Sequence, residues 1–214
     1  MMMRATTSTP RERQKPRGKK LPPGRMKIAA SLKALLAEKE FSAITTAEIA
    51  RTAGVTEALI YKYFNDKRDL LHQVLAEYLD FFITRAESDV KGTQGALHKL
   101  RKLIWSHVTM YAHDKVLARI LILEVRNYPD YFNSEAYQMV KRYVDFLNSI
   151  IEEGIAEGTI RDDIPLHVMR QVVLGAIEHV SLPRVIFDRD LDPDQLSEQL
   201  SQVIFGGMVR PEKQ

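Results

Sequence analysis

The chain has 214 residues, with 31 Lys and Arg against 28 Asp and Glu, a formal net charge of +3, and no cysteine. Disulfides, thiol switches and cysteine-ligated zinc are therefore excluded, and the length suits one or two domains with a real core. With no apolar run near eighteen residues and no secretory leader, the expected setting is soluble and cytoplasmic, with no membrane partner.

The charge is unevenly placed. Residues 1–27 hold nine Lys or Arg and one acid, Glu12, a balance of +8 that leaves the other 187 residues at −5. This leader is rich in Pro and basic residues, so residues 1–25 read as a disordered basic arm. Arg11, Arg13, Lys15, Arg17, Lys19 and Lys20 are candidates to track phosphates or enter a minor groove. A solubilising tail is the competing reading.

From Met26 to Lys39, Ile28, Leu32, Leu35 and Leu36 recur at helical spacing and predict an amphipathic helix. Phe41 and Ile44 follow and suit the same small core. The next stretch, TTAEIARTAGVTEALIYKYFN, starting at Thr45, reads as a helix-turn-helix. Ile49, Ala50 and Ala53 share one face, Ala50 being small enough for a close helix crossing. Gly54 supplies a residue that tolerates positive φ. Thr45 with Glu48 predicts a capping box, and Thr56 predicts the cap of the second helix. Asp66 then caps a long helix from about Lys67 through Phe82, extending toward Asp89. Residues 26–72 thus read as a DNA-binding head and residues 73–210 as a helical body.

On the segments LLAEKEFSAITTAEIARTAGV and LIYKYFNDKRDLL the chain resembles the TetR/AcrR family of bacterial transcription regulators. The resemblance implies an all-α protein: an N-terminal three-helix head containing the helix-turn-helix, then a C-terminal helical effector and dimerisation domain. Glu40 departs from the family's usual Gly, and Glu57, Ala58 and Leu59 replace its common Lys-Gly-Thr opening of the recognition helix.

Base edges are read from the N-terminal part of such a helix. Thr56, Glu57, Ala58, Tyr61 and Lys62 are the candidates there. Glu57 faces a polyanion at a cost unless it accepts from a cytosine amino group, and Ala58 suits a thymine methyl. Tyr61, Tyr63, Thr45 and Thr46 are candidates for positioning contacts to phosphate. The resemblance implies a phosphate contact for Lys67. Leu59, Ile60 and Phe64 read as core.

The body reads as successive helices: Gly95–Ala112, a shorter one at about Lys115–Val125, a loop at 127–133, one capped by Ser134 and running to about Glu157, one from Pro165 to about Leu182, and a last one from Asp192-Pro193 to near Gly206. The helix from Pro165 is apolar nearly all round, so one face is expected to meet a partner chain. Val172, Ala176, His179 and Val180, with Leu200 and Ile204 of the last helix, are the predicted interface of a four-helix homodimer. A wholly intrachain core helix is the alternative. A two-fold dimer implies a palindromic double-stranded DNA operator.

Seven aromatics fall within residues 111–146 (Tyr111, Tyr128, Tyr131, Phe132, Tyr137, Tyr143 and Phe146), and some of them are expected to line a cavity. The candidate effector pocket comprises Phe82, Trp105, His107, Met110, Tyr111, Arg126, Tyr143 and Glu178. The segments LEVRNYPDYF and MRQVVLGAIEHV are similar to the acyl-CoA-responsive TetR subgroup, which implies a long-chain acyl-CoA as effector. The expected function is a ligand-released homodimeric repressor; a non-sensing architectural DNA-binding protein is the alternative. No catalytic site, cofactor or metal is expected. The six histidines form neither His-x-x-x-His nor His-Glu-x-x-His, and Glu152-Glu153 and Asp162-Asp163 are adjacent pairs of the kind found on solvated surfaces.

Overall fold

The computed structural model describes residues 21–209, which form an all-helical protein. The basic-arm candidates Arg11 to Lys20 lie outside the described residues. Helices run α1 Pro23–Glu38, α2 Thr46–Ala53, α3 Glu57–Tyr63, α4 Lys67–Val90, α5 Ala96–His113, α6 Lys115–Arg119, α7 Glu135–Ala156, α8 Leu166–Ile186 and α9 Pro193–Met208. Within the described residues the sole β pairing is one isolated antiparallel bridge, Ile160 to Val209.

The first helix begins three residues before the expected start. Pro22 is its N-cap and Pro23 its first residue, where a missing N–H costs nothing and the fixed φ suits the helix. Arg25, assigned above to the arm, therefore belongs to the head. It donates to Gln73 Oε1 at 2.9 Å, pairs with Glu77 and lies 5.5 Å above the Phe64 ring, tying α1 to α4. Ile28, Leu32 and Leu36 of α1 are fully buried with Ile44, Ile49 and Ile60. Glu40 adopts φ −65° at the turn after α1, so no left-handed residue is required there. At Gly54 one is required: φ is +64° and ψ 38°.

Caps fix most other boundaries. Asp66 accepts from the Asp69 N–H, Ser134 from Tyr137 and Asp192 from Asp194 and Gln195. The predicted helix 115–125 is different in kind. Its α-helical part stops at Arg119, a π turn covers Ile120–Glu124, and 3₁₀ turns cover Val125–Asn127 and Pro129–Asn133. The last helical turn of α8 carries Pro183 and reaches Ile186.

In the body, α7 packs on α4 and α9 on α5. Met169, Val173, Ile177, Ser181 and Val185 form the buried stripe of α8, while Leu196, Leu200, Ile204 and Met208 form that of α9. Leu200 and Ile204 are thus corrected from interface to intrachain core, because their i, i+4 series faces α5. What these helices leave exposed is the predicted Val172, at 52%, together with Val168 and Val203, the last at 78% exposure.

Candidate nucleic-acid interface and apolar cavity

The N-terminal end of α2 and the outer face of α3 make one surface. Thr45 caps α2 by accepting from the Glu48 N–H at 3.1 Å. The predicted box closes only halfway: the Glu48 carboxylate instead accepts from Lys39 Nζ at 2.7 Å, which lowers its pKa. Thr56 holds the N-cap position of α3 without a side-chain cap bond, so its predicted capping role is corrected and its hydroxyl stays exposed. Thr46 Oγ1 donates to Glu57 Oε1 at 2.5 Å and lies 3.4 Å from the Tyr61 hydroxyl. Glu57 is therefore anchored across the two helices rather than swinging free. Ala58, Lys62 and Tyr61, the last 56% exposed, complete an outward-facing row.

The row has the form needed to enter a groove: a short helix held rigidly by its buried Ile60, with small, aromatic and cationic side chains outside. Two candidates sit apart from it. Tyr63 is half-buried and edge-on to Phe64, with ring centroids 6.3 Å apart. Lys67 Nζ donates to the carbonyls of Phe41 at 2.8 Å and Ile44 at 2.5 Å and lies 4.4 Å over the Phe41 ring. Burial, with Arg68 nearby, lowers its pKa. Lys67 thus fastens α4 to the turn before α2, and two of its three N–H donors are already engaged.

A cavity of about 460 Å³ lies between α4, α5, α7 and α8. Its apolar wall includes Leu79, Phe82 and Ile83 of α4 with Val140 and Val144 of α7. Of the eight predicted pocket residues, the structure brings seven together there: Phe82, His107, Met110, Tyr111, Arg126, Tyr143 and Glu178. Trp105 is the exception. It lies two residues before His107, about 200° around the helix, and its Nε1 donates to Asp194 Oδ1 of α9 at 2.6 Å. Tyr131, Phe132 and Tyr137 also line the space, as do Gln171, Leu174 and Leu121. Leu121 belongs to the π turn, which no apolar periodicity announces.

The polar groups gather at one part of the lining. Arg126 and Glu178 form a two-bond ion pair, 2.7 Å at each contact, and this bonding raises the Arg126 pKa. Tyr143 OH lies 3.1 Å from His107 Nδ1, and His107 packs against Tyr111 at 4.9 Å between centroids. Burial pushes the His107 imidazole down to about 4, so it is neutral near pH 7. Burial also raises the phenols of Tyr143 and Tyr111 and takes Tyr131 up to about 12. The cavity is therefore an apolar sleeve with neutral hydrogen-bonding groups and one self-compensated ion pair. Such a lining suits a long apolar ligand with a polar end. Among the described residues no cluster of His, Asp and Glu has metal-binding geometry, and no helix is long and apolar enough to cross a membrane.

Residues 28–74 match the sequence profile described as bacterial regulatory proteins, tetR family, and residues 75–207 match that of the YsiA-like protein C-terminal region. The chain is 30% identical over 186 residues to the fatty acid metabolism regulator protein of Bacillus subtilis (strain 168), covering 87% of this chain and 96% of the relative. Among solved structures, FadR from Bacillus subtilis in complex with stearoyl-CoA aligns with a TM-score of 0.78 at 30% identity, covering 85% of this chain and 98% of that one. FadR from Bacillus halodurans aligns with a TM-score of 0.80 at 26% identity, covering 88% and 98%.

Proposed function

The chain belongs to the tetR family of bacterial regulatory proteins, and on that premise we propose that it is a homodimeric repressor released from a palindromic operator by a long-chain acyl thioester. It is a DNA-binding transcription regulator and not an enzyme. One observation carries the finer reading: the helix that walls the cavity, α4, is also the helix that holds the reading head. Leu79, Phe82, Ile83 and Ala86 of α4 face the cavity, while its first turn is bonded to the head through Lys67.

The cavity volume favours a long chain. If a methylene takes the ~30 Å³ of a water molecule in the liquid, 460 Å³ holds about fifteen of them. Stearoyl-CoA, the molecule in the complex of FadR from Bacillus subtilis, is a thioester of that kind. Pairing of two copies is favoured by the exposed face of α8 and α9. Val172 and His179 lie there with Ala176 and Val180 half-buried at its margin. Gly175, Gly206 and Gly207 have nothing within 4 Å of where a Cβ would sit, so a second backbone has room to come close. Two copies set the α3 helices for half-sites about 34–36 Å apart. A DNA partner supports the cytoplasm as the proposed site of action.

Footprinting of the purified protein on the DNA flanking its own gene tests the proposal. The expected result is a protected palindrome that is lost when palmitoyl-CoA is added and kept when CoA alone is added. Protection of any duplex without preference, indifferent to acyl compounds, would mark an architectural binder instead.

A further inference from the structure

We infer that Glu178 sets the head-group preference of the cavity: by occupying Arg126, it turns away a free carboxylate and leaves the site selective for an uncharged carbonyl. The inference rests on the acyl reading above and adds to it a residue that determines specificity. Arg126 and His107 are the lining residues able to carry positive charge. Arg126 commits two guanidinium donors to the Glu178 carboxylate, 2.7 Å each. A second carboxylate brought to it meets a neutralised cation and a like charge beside it, an arrangement that favours the uncharged competitor.

His107 supplies what a carbonyl needs. Of the two directions open to the 3.1 Å contact between Tyr143 OH and His107 Nδ1, we take the one in which the phenol donates, which leaves the neutral ring's proton on Nε2. Nε2 has no hydrogen-bond partner among the described residues, and the ring lines the cavity. It is thus a neutral N–H donor in an apolar sleeve, suited to a thioester oxygen. Its burial keeps it from becoming the imidazolium that a carboxylate would require.

The test compares three probes of equal chain length: dodecanoyl-CoA, the N-acetylcysteamine thioester of dodecanoic acid, and dodecanoate. Kd values are measured by calorimetry on the full-length protein, and circular dichroism checks the fold of each variant. The wild type should prefer the N-acetylcysteamine thioester to dodecanoate by about 10- to 100-fold, the worth of one charge-assisted hydrogen bond made or forfeited. E178Q frees Arg126 and should narrow that ratio to about threefold or less, chiefly by tightening dodecanoate. R126Q leaves Glu178 uncompensated and should widen the ratio by roughly tenfold, so the inference stays testable if E178Q fails to fold. An unchanged ratio in both variants, or a wild type that takes dodecanoate as tightly as the thioester, overturns the inference while the acyl reading stands. Failure of all three probes, and of palmitoyl-CoA, to bind the wild type overturns the acyl reading, and the inference with it.

Discussion

Gly54 is the hinge on which the reading head depends, and its cost is separable into conformation and volume. Its φ of +64° lies in the left-handed region, yet a Cβ built there meets nothing within 4 Å. Substitution therefore incurs a backbone penalty and almost no steric one. For Gly54→Ala, a left-handed penalty of roughly 1–2 kcal/mol, partly offset by about 0.4–1 kcal/mol from the stiffer unfolded chain, leaves a net loss of about 1 kcal/mol. Gly54→Asn should lose less, although Asn is the larger residue, because Asn tolerates this region. Gly54→Val should lose more than Ala because of its β-branch. Urea unfolding followed by far-UV circular dichroism, at one fixed protein concentration, gives the shifts in midpoint and slope. Operator affinity should fall in the same order, since the turn sets the α2–α3 crossing. An order that follows side-chain volume, with Asn worse than Ala, would refute the reasoning.

Tyr61→Ala and Lys62→Ala should each weaken operator binding by about 1–3 kcal/mol if they touch base edges, with the melting temperature unmoved because both side chains are exposed; band-shift titration and thermal melts check the pair. Val172→Glu combined with Val203→Glu should shift sedimentation from dimer to monomer and abolish tight operator binding, since both residues are exposed while their neighbours Val173 and Ile204 carry the core. His107 gives a pH dependence of definite sign. Its folded pKa, pushed down to about 4, is below the unfolded value of about 6.5, so the unfolded chain binds the extra proton between them. Its stabilising effect is complete above about pH 6.5 and is lost as the pH falls toward 4, by about 3 kcal/mol in all. In denaturation series from pH 7 to pH 4, His107→Gln should show a visibly shallower slope than the wild type. Gly154→Ala should destabilise by about 1–3 kcal/mol through overpacking, because its Cβ would lie 2.5 Å from Ile160 Cδ1 and 3.0 Å from the Ala96 Cβ; Ile160→Val in the same chain should recover part of the loss on urea unfolding.

Local chemistry made much of this protein readable from its residues. Short polar side chains at Asp66, Ser134 and Asp192 announced helix starts, and each accepts the expected backbone N–H. The unreadable parts depend on what lies across the fold. Glu48 was expected to close a box, but Lys39 out-competes the backbone for its carboxylate. Trp105 and His107 share a helix, and the 100° per residue separating neighbours sends them to opposite sides. Leu200, Val203 and Ile204 are all apolar, so composition alone gave no sign that α5 covers the first and third and leaves the second at the surface. The π turn at Ile120–Glu124 carries an ordinary apolar run and has no sequence mark.

In the proposed mechanism, the route from the cavity to the head follows from where α4 is fastened. Near its middle, the Tyr78 hydroxyl donates to the Met110 carbonyl of α5 at 2.6 Å in a buried position. Beyond that point the helix is held to α7 by Arg142, which bonds Glu87 through Nε at 3.0 Å and Asp80 at 2.8 Å. These ion pairs are partly exposed, and such pairs are worth only about 0–1 kcal/mol each. Tyr78 is thus a buried polar tie at mid-helix, and the polar ties beside the cavity are partly solvent-exposed, while apolar packing joins α4 to α7. On the proposed reading, a ligand that wedges Phe82 and Ala86 away from α7 works against these exposed ties and would tilt the helix about Tyr78. The opposite arm, from Tyr78 back to Lys67, is about 16 Å long at 1.5 Å per residue, and it ends on the head. A second grip constrains the response: Lys33 of α1 pairs with Asp114, and Arg119 of α6 donates to the Leu36 carbonyl at 3.1 Å. Because α6 leads through the π turn to the Arg126 side of the cavity, α1 is held from both walls. In the proposed mechanism, motion of either wall would be felt at α1, and a ligand would couple to DNA only by the difference in its affinity for the two tilts.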